Sequence, residues 1–159
     1  MSKTMRGNTS IDNSADIIDS REVIDRIEYL QSFRDDALEA ASTAAAEAAA
    51  ATGEPFDPEQ FAKDWTWTDD NDPDAAEYAA LVELQDDAEG YCSDWRHGAA
   101  LIRRSHFTEY CEQFAEDIGA IDRKAAWPLT HIDWESAARE LMQDYTEVTF
   151  DGIEYLVRD

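Results

Sequence analysis

Apolar residues recur most regularly in the C-terminal third of the chain. One stripe at helical spacing comprises Phe107, Tyr110, Cys111, Phe114 and Ile118. A second stripe comprises Trp134, Ala137, Ala138, Leu141, Met142 and Tyr145. Intervals of three and four residues predict two amphipathic helices whose apolar sides form core, the first ended by Gly119 and the second capped by Asp133.

The pattern changes to alternation at the end of the chain. The alternating apolar positions are Val148, Phe150, Ile153, Tyr155 and Val157. They flank Asp151-Gly152, and an Asp-Gly pair between alternating segments is a strong signal for a tight β-hairpin. The C-terminal unit is therefore expected to be helix, loop, helix, hairpin.

A long helix is predicted earlier in the chain. Asp19 is a candidate N-cap with Glu22 three positions on, and an apolar stripe follows from Val23 to Leu30. The segment from Ala40 to Ala51 is nearly all alanine, the best helix former, and Gly53 is placed as a C-terminal cap. A continuous helix would be about 45 to 50 Å long. It is either an arm or dimerisation surface, or a low-complexity helix that frays beyond Leu38.

Two shorter helices are predicted in the middle of the chain. Asp57-Pro58 and Asp72-Pro73 each combine an N-cap residue with proline at the first helical position. The first helix would run toward Trp65 and the second to Gly90. Between them, residues 65–68 (Trp-Thr-Trp-Thr) alternate like a short strand or an aromatic anchor.

These elements predict an α+β fold that is predominantly helical. The expected organisation is a mobile tail at 1–18, the long Ala-rich helix at 19–52 and a compact acidic α+β domain at 53–159. A hydrophobic fraction of 43% and an aromatic fraction of 11% suffice for a packed core. No apolar run approaches the roughly 20 residues of a membrane span, and the polar start lacks the hydrophobic segment of a signal peptide. We therefore expect a cytoplasmic protein with no membrane partner.

Charge changes this picture most. The formal net charge is −24, and the segment from Asp35 to Asp94 holds 18 acidic residues against one basic residue, Lys63, so 18 − 1 = 17 negative charges lie there. Such a surface repels nucleic acid and anionic membranes and attracts basic clefts. Adaptation to high salt and ordinary solubility are the alternative explanations. The basic island Arg96, Arg103 and Arg104 is expected to form internal ion pairs rather than to bind phosphate.

Catalytic and metal-binding chemistry finds little support in the sequence. The cysteines are far apart and the histidines scattered, and there is no phosphate-binding glycine loop or recognisable nucleophile motif. The aspartates around Asp70 do not make an EF-hand, because Ala75 and Leu81 stand where glycine and glutamate are required. We expect no enzyme, no cofactor and no specific metal site.

The acidic helices could instead imitate DNA. Carboxylates three or four residues apart on a helix lie roughly 5 to 6 Å from each other, comparable to the phosphate spacing along one strand. Binding to a basic DNA-binding cleft would then be salt-sensitive and blind to sequence. From charge alone, the predicted partner-binding residues are Asp69, Asp70, Asp72, Asp74, Glu77, Asp86, Asp87 and Glu89.

Three sequence pieces resemble a known family. They are residues 107–120, with Phe107-x-x-Tyr110 leading into Ala-Glu-Asp-Ile-Gly-Ala, then 132–141, Ile-Asp-Trp-Glu-x-Ala-x-Arg-Glu-Leu, and the closing 150–157, Phe-Asp-Gly-Ile-Glu-Tyr-x-Val. In order and spacing they are similar to the later part of the ArdA antirestriction proteins, DNA mimics of phages and mobile elements that inhibit type I restriction-modification enzymes. The resemblance covers about half the chain, from Leu81 to Arg158. It implies that Glu109, Glu112, Glu116 and Asp117 belong to the partner-binding surface.

The resulting expectation is an inhibitor of a host DNA-binding defence enzyme, acting as a DNA mimic and not binding nucleic acid itself. An anti-CRISPR protein or another anti-defence inhibitor that blocks a nucleic-acid-binding cleft would share the same charge. An acidic structural or assembly protein built on the long helix, including a homodimer, is the third alternative.

Overall fold

The computed structural model describes residues 7, 9–68, 73–122 and 124–158, and the chain folds as the α+β protein that the sequence predicts. The described part contains six α-helices and four strands. In chain order these are β1 (Ile17–Asp19), α1 (Ser20–Thr52), α2 (Pro58–Asp64), α3 (Pro73–Glu89), α4 (Trp95–Gly98), β2 (Ala100–Arg103), α5 (Phe107–Asp117), α6 (Trp134–Leu141), β3 (Tyr145–Phe150) and β4 (Ile153–Arg158). No described helix combines the length and the apolar composition that crossing a bilayer requires.

Helix α1 is continuous over 33 residues, about 50 Å. The Asp19 side chain accepts a hydrogen bond from the Arg21 backbone N–H at its start. Gly53 closes it in the left-handed conformation, with φ of 74°, and bonds back to the carbonyls of Ala49 and Ala50. The predicted caps and extent are confirmed, because both ends depend on local chemistry that the sequence displays.

The four strands form one antiparallel sheet in the order β1-β2-β4-β3. Asp151 and Gly152 join β3 to β4 with φ of 47° and 81°. Positive φ at both turn residues gives the tight turn that the Asp-Gly pair predicts, so the hairpin is confirmed. Val148 pairs with Tyr155 in its register.

The sheet has a core on each face. On one face, Val148, Tyr155 and Val157 pack in a cluster with residues of α1, α3 and α4. On the other face, Ile102 and Leu156 pack with residues of α5 and α6. The molecule is thus a three-layer structure, with α1 and α3 on one side of the sheet and α5 and α6 on the opposite side.

The end of the predicted mobile tail, residues 17 and 18, belongs to the sheet. Residues 17–19 form strand β1, in which Ile18 is buried against the core and pairs with Leu101. Ile11 and Ala15 pack against the same cluster, and the Ala15 carbonyl accepts a hydrogen bond from the Tyr155 hydroxyl at 2.6 Å. A strand of three residues has too few positions to show alternation, so the sequence did not reveal it.

Other local predictions also need correction. Residues 65–68 are not a strand but an irregular connection between α2 and α3. Helix α6 ends at Leu141, and Tyr145 begins strand β3 instead of completing the helical stripe. The predicted N-cap Asp72 lies outside the described residues. Asp57 does cap α2, and Asp133 caps α6 by accepting a hydrogen bond from the Ser136 backbone N–H at 3.1 Å.

Candidate functional site

The predicted acidic residues that the structure describes lie on two helices that the sheet separates. Five are on α3, namely Asp74, Glu77, Asp86, Asp87 and Glu89, and four are on α5, namely Glu109, Glu112, Glu116 and Asp117. Asp69, Asp70 and Asp72 lie outside the described residues. Because α3 and α5 pack on opposite faces of the sheet, the described members form two surfaces and not one.

Glu77 is part of the structural core and not of an exposed acidic face. Arg26 Nε donates to its Oε2 at 2.7 Å and Arg26 Nη2 donates to its Oε1 at 2.9 Å, while Ser10 Oγ donates at 2.7 Å. The two side chains are 7% and 11% exposed, so the pair is shielded from water. The half-buried Asp74 lies 4.0 Å from the same guanidinium. Glu77 is therefore committed to an ion pair inside the chain and does not belong to an exposed acidic surface.

Opposing effects set the proton affinity of Glu77. Burial raises its pKa, since the charged form loses hydration, but the hydrogen bonds from Arg26 and Ser10 favour the carboxylate. Together the hydrogen bonds and the positive charge of Arg26 prevail, and the pKa lies below its ordinary value. The carboxylate is thus ionised at neutral pH and holds α3 against α1.

The exposed acidic surface of α3 is centred on Glu83, Asp86 and Asp87, which we call the acidic rim. These residues follow the spacing i, i+3 and i+4, so their side chains lie on one face of the helix. Glu83 was not among the predicted binding residues, although its spacing from Asp86 and Asp87 in the sequence could have identified it. Glu89 is exposed as well, but Arg96 already contacts its carboxylate at 3.3 Å.

Beside the acidic rim lies a groove of about 750 Å³, which we call the aromatic groove. Trp65, Trp67 and Tyr78 supply its rings, with the Trp67 and Tyr78 centroids 5.8 Å apart. The Tyr78 hydroxyl donates a hydrogen bond to the Gln31 side chain, which fixes the ring. Arg34 of α1 completes the lining, with its guanidinium carbon 5.6 Å from the Trp65 ring centroid. The suggested aromatic anchor is thus a wall of this groove.

The second half of α1 extends the acidic surface. Asp35, Asp36, Glu39 and Glu47 are exposed there, and no basic residue follows Arg34 within the helix. These residues belong to the acidic segment noted in the sequence but were not among the predicted binding residues. The ring of Phe61 in α2 lies 5.7 Å from that of Phe56, and Ala62 shares a groove with this part of α1.

More of the acidic residues of α5 than of the acidic rim contact neighbouring side chains. Glu109 contacts the His106 ring at 3.2 Å, and Asp117 accepts a hydrogen bond from Gln113 at 2.8 Å. Glu112 is exposed, whereas Glu116 is half-buried. This surface offers fewer uncommitted carboxylates than the acidic rim does.

The basic island pairs internally, as predicted for two of its members. Arg96 contacts Glu89, and Arg104 donates hydrogen bonds to Glu147 at 2.9 Å and to Glu154 at 3.0 Å. Arg103 is half-buried and donates its backbone N–H to the Asp16 carbonyl at 2.7 Å.

The two cysteines are buried thiols. Cys92 packs in the core of the α1 and α3 layer and Cys111 in that of the α5 and α6 layer. Burial raises the pKa of the Cys111 thiol, which disfavours the reactive thiolate. Among the described residues, no group of three or more histidine, cysteine, aspartate and glutamate side chains is arranged to hold a metal ion.

Comparison of the chain with protein-family models, with curated proteins and with solved structures yields no match. The ArdA resemblance therefore stays a prediction from the sequence.

Proposed function

We propose that this protein is a DNA mimic that inhibits a DNA-binding defence enzyme of the host cell, most directly a type I restriction-modification enzyme. The observation that carries the proposal is the uneven charge: 18 acidic residues and one basic residue between Asp35 and Asp94. Most of that segment lies in α1, α2 and α3. The proposed target of this acidic segment is the basic cleft in which the enzyme normally binds DNA.

The dimensions of the acidic layer suit such a cleft. Helix α1 is about 50 Å long, which corresponds to the axial length of about 15 base pairs. Carboxylates on successive turns of α1 and α3 would present negative charge at intervals close to those of phosphates. They carry no base edges, so the interaction would not depend on sequence.

Rigidity supports the same proposal. Val23 and Leu30 fix the first part of α1 in the core, and the Arg26–Glu77 pair joins it to α3. A preorganised acidic surface loses less conformational entropy on binding than a flexible acidic tail would. We place the main contact on α1 and α3, with the α5 residues as a secondary surface.

Competition with DNA tests the proposal. The pure protein is titrated against a type I restriction enzyme bound to labelled duplex DNA, across a series of salt concentrations. We expect displacement of the DNA at low salt that weakens steeply as salt rises, because the attraction is spread over many charges. Absence of displacement at low salt contradicts the proposal.

Two controls separate the alternatives. A panel of defence systems, including CRISPR effectors, shows whether mimicry is directed at another enzyme. Sedimentation analysis shows whether the chain instead forms a large defined oligomer through α1, as an assembly protein would. Inhibition by a protein that stays small supports mimicry, whereas a large oligomer that inhibits no enzyme contradicts it.

A further inference from the structure

We infer that the aromatic groove is a binding site for an arginine side chain within a basic segment of the partner. The inference rests on the proposed function only for the partner's identity. The preference for a guanidinium group follows from the groove itself and is tested without any enzyme.

The groove combines the two surfaces that an arginine needs. Trp65, Trp67 and Tyr78 are half-buried, so each ring is held in place while part of it stays open to solvent. Val82 and the buried Ala75 add apolar surface between them. An arginine can pack its methylene stem on such apolar surface and place its planar guanidinium over a ring face.

The acidic rim supplies the opposite charge. Glu83, Asp86 and Asp87 are exposed and line the same groove. Within the part of the chain that the structure describes, none of these three carboxylates forms an ion pair. A guanidinium group that enters the groove could therefore donate charge-assisted hydrogen bonds to these carboxylates.

The chain itself contains an example of this recognition. The Arg34 guanidinium carbon lies 5.6 Å from the centroid of the Trp65 ring, within the range of a cation–π contact. Among the described residues, the carboxylate that Arg34 contacts is that of Asp35, at 3.8 Å. Arg34 shows that a ring of the groove accepts a guanidinium, and it places one positive charge at the edge of the site.

A peptide titration tests the inference. The probe is a capped nine-residue peptide with three arginines separated by alanines, and the comparison peptides carry lysine or glutamine at the same positions. Binding is followed through the indole N–H signals of the tryptophans in nuclear magnetic resonance spectra. We expect the Trp65 and Trp67 signals to move while that of Trp127 does not. We also expect affinity about threefold higher for arginine than for lysine. No binding of the arginine peptide overturns the inference.

Substitutions in the groove sharpen the test. Trp67→Leu keeps an apolar side chain but removes the ring, and we expect a loss of affinity of about fivefold. Arg34→Gln removes the resident positive charge, and we expect tighter binding of the arginine peptide. Tighter binding is a result that damage to the fold would not produce. Unchanged affinity in both variants overturns the inference.

A charge-matched comparison separates the groove from the overall charge. One triple variant neutralises the acidic rim (Glu83→Gln, Asp86→Asn and Asp87→Asn) and another neutralises exposed residues of α5 (Glu109→Gln, Glu112→Gln and Asp117→Asn). We expect the first to lower peptide affinity and the second to leave it within about twofold, since only the first removes carboxylates from the groove. Equal losses overturn the inference.

The two proposals fail in different ways. A protein that displaces DNA from the restriction enzyme but does not bind the arginine peptide contradicts the groove and leaves the mimicry intact. A protein that binds the peptide through the groove but displaces no DNA contradicts the mimicry and leaves the groove intact.

Discussion

The two sides of the sheet carry acidic helices in different settings. On the α1–α3 side, the described core cluster contains 13 buried residues, whereas the cluster on the α5–α6 side contains 5. The α1–α3 side also holds the Arg26–Glu77 pair and the aromatic groove. The same type of charge therefore sits on a more firmly packed support on the α1–α3 side.

The α5–α6 side differs in its exposed surface. The segment between its helices displays apolar side chains, with Ile118 62%, Leu129 71% and Trp127 77% exposed. Its acidic residues Glu109 and Asp117 contact neighbours on their own helix or at its start. Net charge alone therefore does not identify a binding surface. Support, spacing and uncommitted carboxylates have to coincide.

The largest expected effect on stability is that of replacing Trp95, with the same replacement of Trp127 as the control. Trp95 is 1% exposed in the core of the α1–α3 side, whereas Trp127 is 77% exposed in the segment between α5 and α6. We expect Trp95→Ala to lower the free energy of unfolding by about 3 to 5 kcal/mol. Trp127→Ala should change it by about 0.5 kcal/mol or less. Urea denaturation measures both, and equal losses would contradict the assignment of the core.

The next effect concerns the ion pair between α1 and α3. Arg26→Gln leaves the shielded Glu77 carboxylate without its guanidinium, and we expect a loss of about 3 kcal/mol in the free energy of unfolding. The double variant Arg26→Met with Glu77→Met should recover part of that loss, because it removes the unpaired charge as well. If Arg26→Gln has no effect, the pair does not hold the two helices together.

The pair also predicts a dependence on pH. The pKa of Glu77 is lowered on folding, so its contribution to stability is present above the unfolded-state value of 4.5 and is lost as pH falls through the lower folded-state value. The stability difference between the wild type and Glu77→Gln should therefore shrink as the pH drops below 4.5. Chemical denaturation of both proteins at pH 7, 5 and 3 measures this difference. A difference that grows toward pH 3 would contradict the lowered pKa.

The smallest effect on stability concerns repulsion between surface charges. We expect the chain to be folded at low salt and to gain a little thermal stability as salt is added, because salt screens like charges. Neutralising the acidic rim should raise the melting temperature slightly at low salt. The effect on stability should be smaller in size than the effects of Trp95→Ala and Arg26→Gln. Circular dichroism across a salt series measures it. A chain that folds only in molar salt would support the alternative of salt adaptation.

Local chemistry allowed much of the fold to be predicted. Asp19, Asp57 and Asp133 cap helices, and Asp151-Gly152 makes the hairpin turn, because each depends on neighbours a few residues away. Strands β1 and β2 could not be predicted in the same way. They have three and four residues, and their pairing joins positions distant in the chain.

The candidate site was predictable in its charge but not in its shape. The sequence indicated the acidic helices, yet it could not show that the sheet separates α3 from α5. It also could not show that Arg26 forms an ion pair with Glu77, because the two residues are 51 positions apart. The aromatic groove likewise depends on packing that brings Arg34 to Trp65.

The most direct test of the account compares the two acidic surfaces in the restriction-enzyme competition. The triple variant of the acidic rim and the charge-matched triple variant of α5 are titrated at low salt, with their folding checked by circular dichroism. Since exposed charges contribute about 0.2 to 1 kcal/mol each, we predict that the first weakens inhibition by about tenfold. The α5 variant should weaken it by about twofold or less. A larger loss of inhibition in the α5 variant would contradict the assignment of the main contact to α1 and α3. Absence of inhibition by the wild type would contradict the mimicry itself.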